Sequence, residues 1–145
     1  MTHPTSTDAS KDDILDLGTI TLRLLAVAEQ TNGAFAVGEF SGAEGPWTVP
    51  HVHQHTEESF YVLDGAFTFT LGAEDMEAGP GSFIRVPPGT RHELRAGSGG
   101  GRVLTVWVPG GTEAMFVELS RMPPGSLRDP EARRAISERF DSIPI

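Results

Sequence analysis

The chain contains no cysteine. That removes disulfides and thiolate ligands together, so any metal it holds must sit among nitrogen and oxygen donors. Basic residues are few: 11 lysines and arginines stand against 20 aspartates and glutamates, for a formal net charge of −9. Such a balance repels phosphate backbones and anionic lipid, and no basic stripe offsets it, so nucleic acid and membranes are excluded as expected partners. No apolar run is long enough to span a bilayer, and Met1 to Asp13 lacks the apolar core of a secretion signal. A cytoplasmic location is expected. The glycine run Gly97 to Gly101 lacks the Lys-Ser or Lys-Thr that would complete a phosphate loop, and is read as a flexible hairpin tip.

What is present is β-type sequence. At 145 residues the chain makes one domain, long enough to bury roughly two-thirds of the surface of its unfolded form. Short runs rich in Val, Ile, Leu, Phe and Thr recur at 19–28, 34–40, 47–53, 59–63, 66–71, 82–86, 92–95 and 102–108. Between them lie turn signals such as Thr31-Asn32-Gly33, Asp64-Gly65, Gly72 to Asp75 and Pro87-Pro88-Gly89. About eight strands at this spacing predict an all-β antiparallel sandwich or barrel.

The C-terminus differs. Asp129 is placed to cap a helix that begins at Pro130, with Glu131 near its positive end. Ala132, Ala135, Ile136, Phe140 and Ile143 then form an apolar stripe at helical spacing. A shorter helix is expected at Thr112 to Arg121, where Met115, Phe116 and Leu119 share a face. The chain thus divides into a flexible tail over 1–13, a β domain over 14–110 and a helical segment over 111–145 packed upon it.

Histidine is scarce, and four of the 5 are concentrated in His51-Val52-His53-Gln54-His55 and at His92. Alternate residues of a strand share a face, so the imidazoles of His51 and His53 can converge on one ion. Glu58 reaches the same centre if the chain re-enters the sheet there, and His92 can arrive from a later strand after the Pro87-Pro88-Gly89 turn. Three nitrogens and one oxygen leave one or two positions open on a five- or six-coordinate ion, whereas a closed zinc site more usually takes cysteine. Such ligands suit one divalent first-row transition metal ion: Fe, Mn, Ni, Co, Cu or Zn. His55 is either a pocket-lining residue or a solvated loop histidine.

The full pattern runs Gly45, five residues, His51-x-His53, four residues, Glu58, six residues, Gly65, then fifteen residues, Gly81, five residues and Pro87-x-Gly89-x-x-His92. It resembles the two motifs of the cupin superfamily. Pro50-His51-Val52-His53 and Glu58-Ser59-Phe60-Tyr61-Val62-Leu63-Asp64-Gly65 are similar to the text of quercetin 2,3-dioxygenase-like single-domain members. The resemblance covers roughly Ala34 to Leu119. It implies a small β-barrel or jelly roll with a metal inside, held by His51, His53, Glu58 and His92. Glu57 falls off the motif spacing and is left as a rim carboxylate. Ala96 stands where the second motif usually carries asparagine. Gly45, Gly65, Gly81 and Gly89 are expected at turns, and Phe60, Phe67, Phe69, Phe83 and Trp107 in the core. Parity does not decide whether Trp47 and Tyr61 face the pocket.

The resemblance further implies oxidative cleavage of a flavonol-like or polyketide aromatic. A bound ion would act as Lewis acid on an enolate or phenolate oxygen, dioxygen would be the co-substrate, and Glu58 would be the catalytic base. Two other readings stand beside it: a non-oxidative isomerase, cyclase or dehydratase acting on an enolisable substrate, and a non-catalytic small-molecule-binding module. A homodimer is expected, with N-terminal strands covering a sheet edge.

Overall fold

The computed structural model describes residues 3–7, 14–123, 125–126 and 129–145. Most of the tail expected over 1–13 lies outside them. Within 3–7, the Thr7 hydroxyl donates to the Leu25 carbonyl at 2.9 Å.

Among the described residues ten strands form one hydrogen-bonded sheet. They are β1 (Ile14–Asp16), β2 (Ile20–Ala26), β3 (Ala36–Gly42), β4 (Gly45–Pro46), β5 (His51–Val52), β6 (Glu57–Leu71), β7 (Glu74–Ala78), β8 (Phe83–Val86), β9 (His92–Val108) and β10 (Ile143–Pro144). Two long strands organise the rest. The first half of β6 lies between β8 and the second half of β9, which continues through β3 and β2 to β1. The second half of β6 lies between β7 and the first half of β9, which continues to β4, β5 and β10. β6 and β9 therefore belong to two half-sheets. Side chains from both, including Leu22, Phe40, Phe60, Val103 and Trp107 from one and Phe67, Phe69 and Leu94 from the other, form a single core cluster. The architecture is the expected antiparallel β-barrel.

Glycine makes the crossing feasible. The β6–β9 register shifts on either side of Asp64 and Gly65, opposite the glycine run of β9. A Cβ on Gly65 would lie 2.2 Å from the Gly100 carbonyl oxygen, and one on Gly100 2.1 Å from that of Gly42. Three backbones approach too closely there for side chains. This corrects the reading of Gly97 to Gly101 as a hairpin tip and of Asp64-Gly65 as a strand-ending turn. Composition signalled a break in structure, whereas these glycines allow two continuous strands to bend and pack.

The C-terminal helices are short. α1 (Ala28–Thr31) is a single turn in the β2–β3 connection, α2 covers Glu113–Ser120 and α3 covers Pro130–Ser137. Asp129 caps α3 as expected, its carboxylate accepting from the Glu131 amide at 3.0 Å. The helix does not reach Ile143. It tightens into a 3-10 turn over Glu138–Phe140, and Asp141 then takes the left-handed conformation at φ 59°, releasing Ile143 and Pro144 to pair with Val52 and His51. Pairing with a strand edge overrides the helical period, and Ala135, on the expected apolar stripe, is exposed.

One aromatic expectation changes and an open one is settled. Phe83 is 61% exposed rather than core, and Tyr61, its partner across the β6–β8 pair, is 41% exposed. Their neighbours Phe60 and Val62 take the inward face, as the two-residue period of a strand requires.

Candidate metal centre

The four residues of the expected set arrive from three stretches of backbone. β5 carries His51, paired across the ladder with His92 at the start of β9. His53 follows just beyond the end of β5. Glu58 sits near the start of β6, between Val86 and Trp107. One ligand atom from each of the four lies within 4.8 Å of the others, and all four residues are buried. The ring centroids of His51 and His92 are 4.2 Å apart, and those of His51 and His53 are 4.8 Å apart.

The outer nitrogens of the rings are already committed. Nδ1 of His51 donates to the Val49 carbonyl at 2.7 Å, Nδ1 of His53 to the Asp141 carbonyl at 2.8 Å, and Nδ1 of His92 to the Thr90 carbonyl at 2.9 Å. A carbonyl can only accept, so each Nδ1 carries a proton and each Nε2 of a neutral ring is left as a lone pair. Metal-binding histidines are commonly oriented in this way. Nε2 of His92 lies 3.0 Å from Oε1 of Glu58. Nε2 of His53 lies 3.3 Å from the same oxygen and makes no well-formed hydrogen bond among the described residues. A buried nitrogen without a partner, facing two more imidazoles and a carboxylate, fits a divalent ion.

Electrostatics divide the cluster. Burial, followed by the charge of His92, lowers His51 from 6.5 to about 4, so that its ring is neutral at physiological pH. Burial also works against a charge on His53, but the Glu58 carboxylate 3.3 Å away, with help from Asp141, overcomes it and raises that pKa. Burial pushes Glu58 upward as well. The neighbouring His53 and His92 prevail, because a proton on either Nε2 favours the carboxylate beside it, and they hold the carboxyl well below the ordinary carboxylate range. Its second oxygen, Oε2, accepts the indole N–H of Trp107 at 2.5 Å. Glu58 is therefore an anion with one oxygen anchored and the other facing imidazoles.

The cluster opens onto a cavity of about 990 Å³, whose lining includes His51, His53 and Glu58. Trp47 and Phe60 belong to its wall, and Met115, Phe116 and Leu119 of α2 form another side. The face of α2 expected to pack as core thus also borders open space. Arg133 of α3 is a cation on the lining. Tyr61 is not on it, and His55 is exposed at the surface. Of the two readings of His55 the solvated loop residue is the one found, because β5 ends at Val52 and strand alternation does not carry on to position 55. Glu57 pairs at the surface with Arg85 at 2.6 Å.

Two contributors were missed. Trp107 is core, as expected, but its N–H also holds Glu58; only the register of β6 on β9 reveals this. Asp141 carried no signal, since its partners lie more than eighty residues earlier.

A family model described as "Cupin domain" matches residues 38–109. Over 136 residues the chain is 31% identical to a quercetin 2,3-dioxygenase of Bacillus subtilis (strain 168), covering 94% of this chain and 40% of that protein. The chain thus spans about 40% of the length of the curated relatives it matches. Among solved structures, KdgF from Halomonas sp. superposes with a TM-score of 0.66 at 21% identity, over 74% of this chain and 94% of that one. Pac13, described as a nucleoside dehydratase, does so with a TM-score of 0.58 at 20% identity, over 72% and 83%. At such identities the structural likeness speaks for the fold.

Proposed function

Because the chain belongs to the cupin superfamily, we propose that His51, His53, Glu58 and His92 hold one divalent first-row metal ion and that the protein is a quercetinase-like dioxygenase. Its substrate would be a flavonol-like or polyketide aromatic carrying an enolisable or phenolic oxygen. The observation that carries the proposal is the set of three Nε2 atoms and one carboxylate, buried at the end of a largely apolar cavity. A volume of about 990 Å³ lies at the upper end of small-molecule sites and admits a fused or linked aromatic. When bound, the ion would supply Lewis-acid polarisation of the substrate oxygen and, if redox-active, access to dioxygen chemistry.

The chain's own residues have simpler tasks. Glu58, ionised in place, accepts the substrate's hydroxyl proton on Oε1 while Trp107 keeps Oε2 fixed. Trp47, Phe60, Met115 and Phe116 pack on the aromatic body and exclude water. Elemental analysis of purified protein, followed by an oxygen electrode with flavonols and polyphenols, tests both halves of the proposal. Glu58→Gln should abolish oxygen uptake while retaining most of the metal; unchanged turnover would remove Glu58 from the role of base.

A non-oxidative reaction is the second reading. It is favoured by a carboxylate base that is already ionised and by the presence of a nucleoside dehydratase on the same fold. A base and a Lewis acid suffice to isomerise, cyclise or dehydrate an enolisable substrate. Turnover under argon would select this reading, and tight binding without product under either atmosphere would select a binding module. A cytoplasmic homodimer remains part of the proposal, and sedimentation at low concentration tests the assembly.

A further inference from the structure

We propose that Asp141 is a positioning residue for the metal centre and that residues 141–145 form a clasp which sets His53, resting on the reading of the cluster as a metal site. The segment meets the first-motif stretch through four of its five residues. The Asp141 carbonyl accepts from His53 Nδ1 at 2.8 Å. Its carboxylate accepts from the amides of Gln54 at 2.9 Å and His55 at 2.8 Å, and from the Thr56 hydroxyl at 3.2 Å. Ile143 and Pro144 pair with Val52 and His51, and the Ile145 amide donates to the Pro50 carbonyl at 3.1 Å.

The three histidines are not held alike. His51 and His92 lean on carbonyls two residues before them in the chain, at Val49 and Thr90, so their orientation is settled locally. His53 leans on a carbonyl 88 residues away. Its backbone lies past the end of the two-residue β5, where the Gly89 amide donates to its carbonyl at 2.7 Å but no strand ladder orients its ring. The loop that continues from it presents two successive amides to one carboxylate. Asp141 therefore grips His53 through the ring and the following loop through its side chain. Its left-handed backbone, at φ 59°, is what lets one residue turn both groups toward the same loop, and aspartate tolerates that conformation better than most residues.

The test compares Asp141→Ala and Asp141→Asn in the full chain. Asparagine tolerates the left-handed conformation and keeps one acceptor oxygen; alanine keeps neither advantage. Cobalt(II) serves as the probe, with affinity and d–d spectrum as readouts. In parallel, imidazole ¹⁵N shifts of the metal-free protein are recorded at a pH where all three rings are neutral. Asp141→Ala should weaken cobalt binding about 10- to 100-fold, the range for losing an outer support of a ligand. Asp141→Asn should weaken it less. His53 alone should lose its single Nδ1–H tautomer, with His51 and His92 unchanged. Cobalt affinity within twofold of the parent for both variants, together with unaltered His53 shifts, would overturn the proposal; should the alanine variant not fold, the asparagine variant decides on the same two readouts. No cobalt uptake by the parent protein would instead overturn the metal reading, and the ¹⁵N shifts would still decide whether Asp141 fixes the ring.

Discussion

At the scale of single residues, the cluster concentrates opposing demands on Glu58. It is 5% exposed, and an unpaired carboxylate there would cost several kcal/mol. Two imidazoles and the Trp107 indole offset that cost. Trp107→Phe should therefore act twice. It leaves Oε2 without its donor and a small void in a fully buried position, together costing about 2–4 kcal/mol of stability. Because a hydrogen bond to the charged form favours ionisation, its loss should also move the acid limb of the pH–rate profile upward. A stability loss with an unmoved profile would reduce Trp107 to a packing residue.

His51 supplies a residue-scale prediction that needs no substrate. Its folded pKa of about 4 lies below the unfolded 6.5, so the unfolded chain binds the additional proton between those values. The contribution of neutral His51 is complete above about pH 6.5 and is lost as pH falls toward 4. Glu58, also lowered, adds loss at the acid end, whereas the raised His53 works in the opposite sense, its contribution fading as pH rises. Thermal midpoints of the metal-free protein should fall from pH 7 to pH 4.5, and His51→Gln should flatten that slope. Equal slopes would mean that His51 is not the buried neutral ring described above.

At the scale of elements, the sequence was most legible where chemistry and period coincide. The spacing from His51 to Glu58 and from Pro87 to His92 placed all four cluster residues, and Asp129 with Pro130 placed the start of α3. It was least legible where long-range pairing decides. Strands β6 and β9 read as four separate runs because glycine marks both a turn and a backbone crossing, and only the neighbouring strand distinguishes them. Gly65→Ala separates the two readings. A turn glycine at positive φ in open space would lose about 1–2 kcal/mol, but here the added methyl also meets the Gly100 carbonyl, with the backbone at φ 87°. A loss of at least about 3 kcal/mol in chemical denaturation is expected. The same substitution at Gly72, also at positive φ but with nothing near its Cβ, should cost markedly less.

At the scale of the whole molecule, the cluster joins parts of the fold that would otherwise meet only through the core. β5 and β9 carry histidines within one half-sheet, β6 brings Glu58 from the other, and the C-terminal clasp closes behind His53. An ion held by all four would bind the folded chain and not the unfolded one. It should then stabilise globally, by about 2.7 kcal/mol at a free concentration one hundred times its Kd. For a domain of this size that is roughly 5–10 °C in Tm. Chelation should reverse the gain and His51→Ala should prevent it, with unfolding remaining a single transition because the ligands span both half-sheets. A metal-induced rise that survives in His51→Ala would place the ion elsewhere, among the surface carboxylates of this acidic chain. No rise in the parent protein, with zinc, cobalt, nickel and manganese each tried, would leave His53 Nε2 without the partner its geometry calls for and would remove the basis for metal-dependent chemistry in the cavity.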